Sequence, residues 1–117
     1  MNIPIVTESI TESELTTLAQ ETYEDMLKGV CDIKREIIAF GGMMHADAEA
    51  ALLENGSQQE DIWGFNVYLK QPIEDHLEYT SFINIRPRDG NRSQEIMIPE
   101  VKEKIKQIVI KRVRYTT

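Results

Sequence analysis

Residues 62–69 alternate strictly, with Trp63, Phe65, Val67 and Leu69 on one side and Ile62, Gly64, Asn66 and Tyr68 on the other. This two-residue period is that of an extended strand with one strongly apolar face, and such a face must be covered. Any fold for this chain therefore builds a sheet around the segment. After a polar loop through Pro72, Asp75 and His76, a second alternation sets Tyr79, Ser81, Ile83 and Ile85 against Thr80, Phe82, Asn84 and Arg86. The two segments predict a long antiparallel hairpin. An even register gathers Asn66, Tyr68, Asn84 and Arg86 on the face opposite Trp63, and a one-residue slip would mix the faces.

Helix signals flank this hairpin. Thr11 and Glu14 have capping-box spacing, and Ile10 and Leu15 can staple the same turn. Leu15, Leu18, Ala19, Thr22, Tyr23, Met26 and Leu27 then form an apolar stripe that Gly29 would stop, leaving Glu12, Glu14, Glu21, Glu24 and Asp25 as a solvated acidic face. Residues 30–33 and 36–40 read as a tight hairpin about Lys34 and Arg35, closed by Gly41 and Gly42. Residues 46–53 favour helix, with Asp47 in its first turn and Asn55 and Gly56 at its end. Pro4 demotes residues 3–6 to an edge strand. Pro99 suits the first position of a last helix carrying Val101, Ile105, Ile108 and Val109, although residues 108–115 also alternate and leave a final strand open. The expected architecture is a single α+β domain over residues 1–117. It has a mostly antiparallel sheet and three helices on one face, in the order β-α-β-β-α-β-β-α.

Charge narrows the partners. Thirteen Lys and Arg against twenty Asp and Glu give a net charge of −7, which disfavours general nucleic-acid binding. The excess is uneven, because residues 99–117 hold six Lys and Arg against Glu100 and Glu103. Cys31, the single cysteine, cannot close an internal disulfide, and no apolar run is long enough to span a membrane. Met-Asn-Ile-Pro at the start lacks the pattern of a signal peptide, so a cytoplasmic location is expected.

Two polar clusters could carry chemistry. His45-Ala46-Asp47-Ala48-Glu49 offers imidazole and carboxylates, making His45 and Asp47 the catalytic candidates. On a helix, however, Asp47 points nearly opposite to His45 and Glu49, so no metal site is expected. A cap for His45 and a dipole partner for Asp47 are the structural alternatives. The second cluster, Asn84, Arg86, Arg88, Asn91, Arg92 and Ser93, gathers guanidinium and amide donors that can fork onto a carboxylate or phosphate, or else pair internally with Glu49, Glu54 or Asp61. Asn66, Tyr68, Asn84, Arg86 and Arg92 are the ligand-binding candidates. Trp63 reads as core, Cys31 as an inert buried thiol and His76 as exposed. Phosphate-loop, dinucleotide, nucleophile-elbow, zinc-protease and paired-cysteine motifs do not occur, and no cofactor is expected.

Asp32-Ile33-Lys34-Arg35-Glu36, His45-Ala46-Asp47-Ala48-Glu49, Leu53-Glu54-Asn55-Gly56-Ser57, Glu60-Asp61-Ile62-Trp63-Gly64, and Asn84-Ile85-Arg86-Pro87 with Asn91-Arg92-Ser93 occur in one order over most of the chain. In this the chain resembles a family of small uncharacterised bacterial proteins, a domain of unknown function, with Ile98 standing where the pattern has an acidic residue. The layout of residues 30–69 is also similar to that of small cyanobacterial proteins associated with element excision, which implies a small interaction protein. The leading expectation is a non-enzymatic cytoplasmic module that binds another protein or itself. The alternative is a small hydrolase, or a protein binding an anionic or phosphate-bearing ligand through His45, Asp47, Asn84, Arg86 and Arg92.

Overall fold

A computed structural model describes residues 2–115. Its elements are β1 (Ile5–Val6), β2 (Ile10–Thr11), α1 (Glu12–Gln20), β3 (Leu27–Asp32), β4 (Ile37–Phe40), α2 (His45–Glu54), β5 (Ile62–Val67), β6 (Leu77–Glu78), α3 (Pro99–Arg112) and β7 (Val113–Arg114). Short 3-10 turns occupy Gln59–Asp61, Ile73–Asp75, Phe82–Asn84 and Pro87–Asp89. The main sheet is antiparallel throughout, in the order β1-β4-β3-β5-β6, and β2 pairs with β7 in a separate parallel ribbon. The α+β class, the mostly antiparallel sheet and the three helices are those expected.

The helices do not share one face. Leu15, Leu18, Ala19, Ile105, Ile108 and Val109 of α1 and α3 pack with Cys31, Ile38, Phe40, Trp63 and Phe65. Ala48 and Leu52 of α2 cover Val30, Ile37, Ala39 and Ile62 on the opposite side. The physical reason lies in the central strands: all four residues of β4 are buried, and an apolar run without polar alternation needs cover on both faces.

Local signals held where partners are close in sequence. Glu14 N donates to Thr11 Oγ1 and Thr11 N to Glu14 Oε1, each at 3.1 Å, completing the capping box of α1. The helix is nevertheless shorter than its stripe. Leu27 and Gly29, expected as its last contact and its stop, lie inside β3 and pair with Val67 and Phe65 of β5. Gly29 serves packing there, since a Cβ would come within 2.7 Å of the Phe65 ring.

The turn between β3 and β4 is tied to the end of α2. Asp32 Oδ1 accepts from the main-chain N–H groups of Lys34 and Arg35, both at 2.9 Å, and Asp32 Oδ2 accepts from Ser57 Oγ at 2.6 Å. Arg35 reaches Asn55 O at 3.2 Å and Asn55 Oδ1 at 2.8 Å. Two motifs far apart in the chain thus form one hydrogen-bonded corner.

The long second hairpin is absent. β6 pairs with β5 only at Asn66–Glu78 and Val67–Leu77, and residues 79–98 run as turns joined by isolated bridges. At the C-terminus both readings of the tail apply, because α3 runs to Arg112 and β7 follows it to pair with β2. Pro99 occupies the first turn of α3, with Ile98 as an N-cap lacking a side-chain bond.

Candidate functional site

Three regions bear on function. The first is the polar patch around His45. His45 opens α2 and is buried, with Nε2 placed 2.8 Å from Phe65 O, an acceptor to which it donates. Burial pushes its pKa down to about 4, the Phe65 carbonyl opposes that shift, and Lys28 adds to it. Gly64 permits this approach, since a Cβ there would stand 2.6 Å from Ser81 Cβ and 3.2 Å from His45 Cδ2. Glu78 collects Asn66 Nδ2 at 2.8 Å and Tyr68 OH at 3.0 Å, so these two sequence candidates do meet. Asn66 Oδ1 is buried without a hydrogen-bond partner among the described residues. Asp47 points elsewhere, its Oδ2 accepting from Met44 N at 3.0 Å to cap α2.

The second region is the segment 79–98, where the amide and guanidinium cluster is built inward. Asn84, fully buried, accepts from Gly64 N at 2.8 Å and donates to Gly64 O at 2.9 Å and Gln94 O at 3.1 Å. One side-chain amide thereby replaces the strand that the alternation predicted beside β5. Asn91 donates to Asn84 O at 2.8 Å and accepts from Met97 N at 2.7 Å. The Arg86 guanidinium lies 3.6 Å over the Trp63 ring, donates to Gln59 O at 2.7 Å and stands 3.7 Å from Asp89 Oδ2. Burial lowers its pKa, and Asp89, Glu49, Asp61 and Glu60 oppose the shift. Arg92 is exposed.

His45 thus sits against Gly64 with its ring on the Phe65 carbonyl, whereas the Arg86 guanidinium is engaged by the Trp63 ring and Gln59 O. This segment projects Phe82, which is 74% exposed, on the same 3-10 turn that buries Asn84. Ile85 follows three residues on, on the same side of such a turn, and is also exposed. The alternation along residues 79–86 sets Phe82 on the polar side with Thr80 and Asn84, the one sign in the sequence that this aromatic faces water.

The third region is a cleft with no counterpart among the sequence motifs. A cleft of about 510 Å³ lies between the Ile73–Asp75 turn and the C-terminal half of α3, walled by Leu77, Tyr79, Val109, Ile110 and Tyr115. His76, expected to be exposed, is 4% exposed and lines it, with its ring 5.3 Å from that of Tyr115. The loop composition around His76 hid this, because the cover comes from the far end of the chain. Burial raises the pKa of Tyr79 and of Tyr115, with smaller contributions from Glu103 and Glu12 respectively. None of the seven sequence candidates lines this cleft.

Trp63 is buried as expected, and burial, reinforced by Asp32 and Glu36, pushes the Cys31 thiol well above its usual range. Among the described residues no group of three or more His, Cys, Asp or Glu side chains could hold a metal ion. No helix is long and apolar enough to cross a membrane among them. No curated protein and no solved structure matches the chain. A family model described as "Protein of unknown function (DUF5674)" matches residues 4–112, and the chain belongs to that family.

Proposed function

We propose that the protein is a cytoplasmic binding module that holds a protein partner through the segment 80–98 and carries out no reaction of its own. The observation that supports this is Phe82: a large aromatic side chain, 74% exposed, on a turn held by the buried amides of Asn84 and Asn91. A pre-ordered aromatic loses little conformational freedom on binding, which is the property of interface anchors. Arg88 and Arg92, exposed on the same segment, favour a partner whose apolar pocket is edged by carboxylates. The chain is itself acidic, at −7, so a second copy has suitable chemistry and self-association is measured first.

The alternative, a hydrolase or phosphate-ligand-binding protein using His45, Asp47, Asn84, Arg86 and Arg92, needs those groups around one cavity. His45, Asp47, Asn84 and Arg86 instead each serve a neighbouring main chain or ring.

The test compares the wild-type chain with Phe82→Ala by sedimentation over a concentration series, then by capture from an extract of the native host. At this exposed position the substitution changes stability by less than about 0.5 kcal/mol. Self-association or capture that the variant loses supports the reading. A monomer at every concentration, with the same captured proteins for both chains, sinks it.

A further inference from the structure

We propose that the cleft between the Ile73–Asp75 turn and α3 is a binding site for a small apolar carboxylate, with an aromatic or medium-chain aliphatic body in the cleft and its carboxylate at Lys106. This is independent of the partner reading, since Phe82 and the arginines of the segment 80–98 do not line the cleft.

Three observations converge. The first is size and lining: about 510 Å³ walled by Leu77, Tyr79, Val109, Ile110 and Tyr115 falls within the range of sites that enclose small organic molecules. Ile110 and Ile73 remain 56% and 59% exposed at its mouth, apolar surface that a ligand body would remove from water. The second is a buried polar group without a partner. His76 is held from both sides of its main chain, its O accepting from Tyr68 N at 2.8 Å and its N donating to Ile73 O at 3.3 Å. Its Nδ1 is nevertheless buried without a hydrogen-bond partner among the described residues. Such a nitrogen is a polar group that the protein leaves unpaired in the wall of the cleft, at a cost to stability.

The third observation is charge. The cations of α3 are already engaged: Lys104 and Lys111 pair with Glu36 at 3.2 and 2.9 Å, Arg112 donates to Glu36 O at 2.9 Å, and Lys102 lies 5.9 Å over the Tyr79 ring. Lys106, which lines the cleft, has no ion pair or hydrogen bond among the described residues. It is the cation available to an anionic headgroup. Glu74, the acidic residue of the lining, sits on the opposing Ile73–Asp75 turn.

Calorimetric titration of the full chain with 2-naphthoate, decanoate and the neutral isostere 2-naphthamide tests this. The expected result is saturable 1:1 binding of both carboxylates, with amide shifts confined to residues 73–79 and 106–115. 2-Naphthamide should bind about fivefold more weakly than 2-naphthoate, the scale of a partly exposed ion pair. Lys106→Met, an exposed substitution that leaves the fold intact, should remove that difference, and Glu74→Gln should strengthen 2-naphthoate binding. Ile110→Glu, which sets a carboxylate at the mouth, should abolish 2-naphthoate binding while the far-ultraviolet spectrum stays unchanged. Absence of saturable binding of both carboxylates below about 1 mM overturns the proposal. Equal affinity for 2-naphthamide, or 2-naphthoate binding unaffected by Lys106→Met, overturns the assignment of carboxylate chemistry.

Discussion

Asn84 carries more of this fold than its residue type suggests. Its side chain satisfies both main-chain groups of Gly64 and the carbonyl of Gln94 in a fully buried position, so removal leaves partners with neither protein nor water. Asn84→Ala should cost about 3 kcal/mol in urea unfolding, and a loss below 1 kcal/mol would show that the bonds are dispensable. Gly64 is constrained by the same neighbours, and Gly64→Ala should cost about 2 kcal/mol because Ser81 Cβ would stand 2.6 Å from the added methyl. His45 makes stability depend on pH. Burial lowers its pKa from 6.5 to about 4, so between those values the unfolded chain binds a proton that the folded chain does not. Its contribution is present in full above pH 6.5 and is lost as pH falls towards 4, by about 3 kcal/mol at most. His45→Gln should flatten the wild-type slope of stability against pH in that window. An unchanged slope would assign it to carboxylates instead.

Elements were legible in proportion to how local their causes are. The cap of α1 depends on residues three apart, and Thr11 and Glu14 form it as their spacing predicts. Thr11→Ala should therefore lower stability by about 1 kcal/mol and Thr11→Ser by little, measured by thermal unfolding. The length of α1 was not legible, because the stripe through Leu27 is equally a strand residue, and pairing of Leu27 with Val67 decided between them. The second hairpin failed for a related reason. Alternation records which residues want cover, not which backbone supplies hydrogen bonds, and Asn84 supplies them to β5 in place of a strand. The candidate site was legible in part: Asn66 and Tyr68 do converge on Glu78, whereas Arg86 and Asn84 turn inward. The exposure of Phe82 shows only in its place on the polar side of the alternation, and the cleft around His76 depends on contacts that no local pattern encodes.

At the scale of the molecule, the sheet is covered on both sides and α3 is tied to the β3–β4 turn through Glu36, which meets Lys104, Lys111 and Arg112. Glu36 adopts a left-handed backbone conformation at φ 58, an uncommon position for a residue other than glycine, and its contacts with α3 hold it there. With one sheet shared by both cores, the chain should unfold as a single cooperative unit. Trp63 fluorescence reports on β5 and far-ultraviolet dichroism on the helices, so their urea midpoints should coincide. Separate midpoints would mean that α2 and its smaller core melt independently.

The sequence by itself determined the α+β class, the three helices, the antiparallel central strands, the cap of α1, the buried Trp63 and Cys31, and the charge that disfavours general nucleic-acid binding. These follow from periodicity, short-range hydrogen bonding and composition, all readable within a few residues. Only the tertiary structure decided that α2 lies across the sheet from α1 and α3, that Asn84 takes the place of a strand, and that His45 binds the Phe65 carbonyl while Arg86 stacks on Trp63. It also decided that residues 73–79 and 106–115 enclose a cleft. Each of these rests on a pairing between residues distant in the chain, selected by which burial and hydrogen bonds can be satisfied together, and pattern along the chain carries no record of that competition.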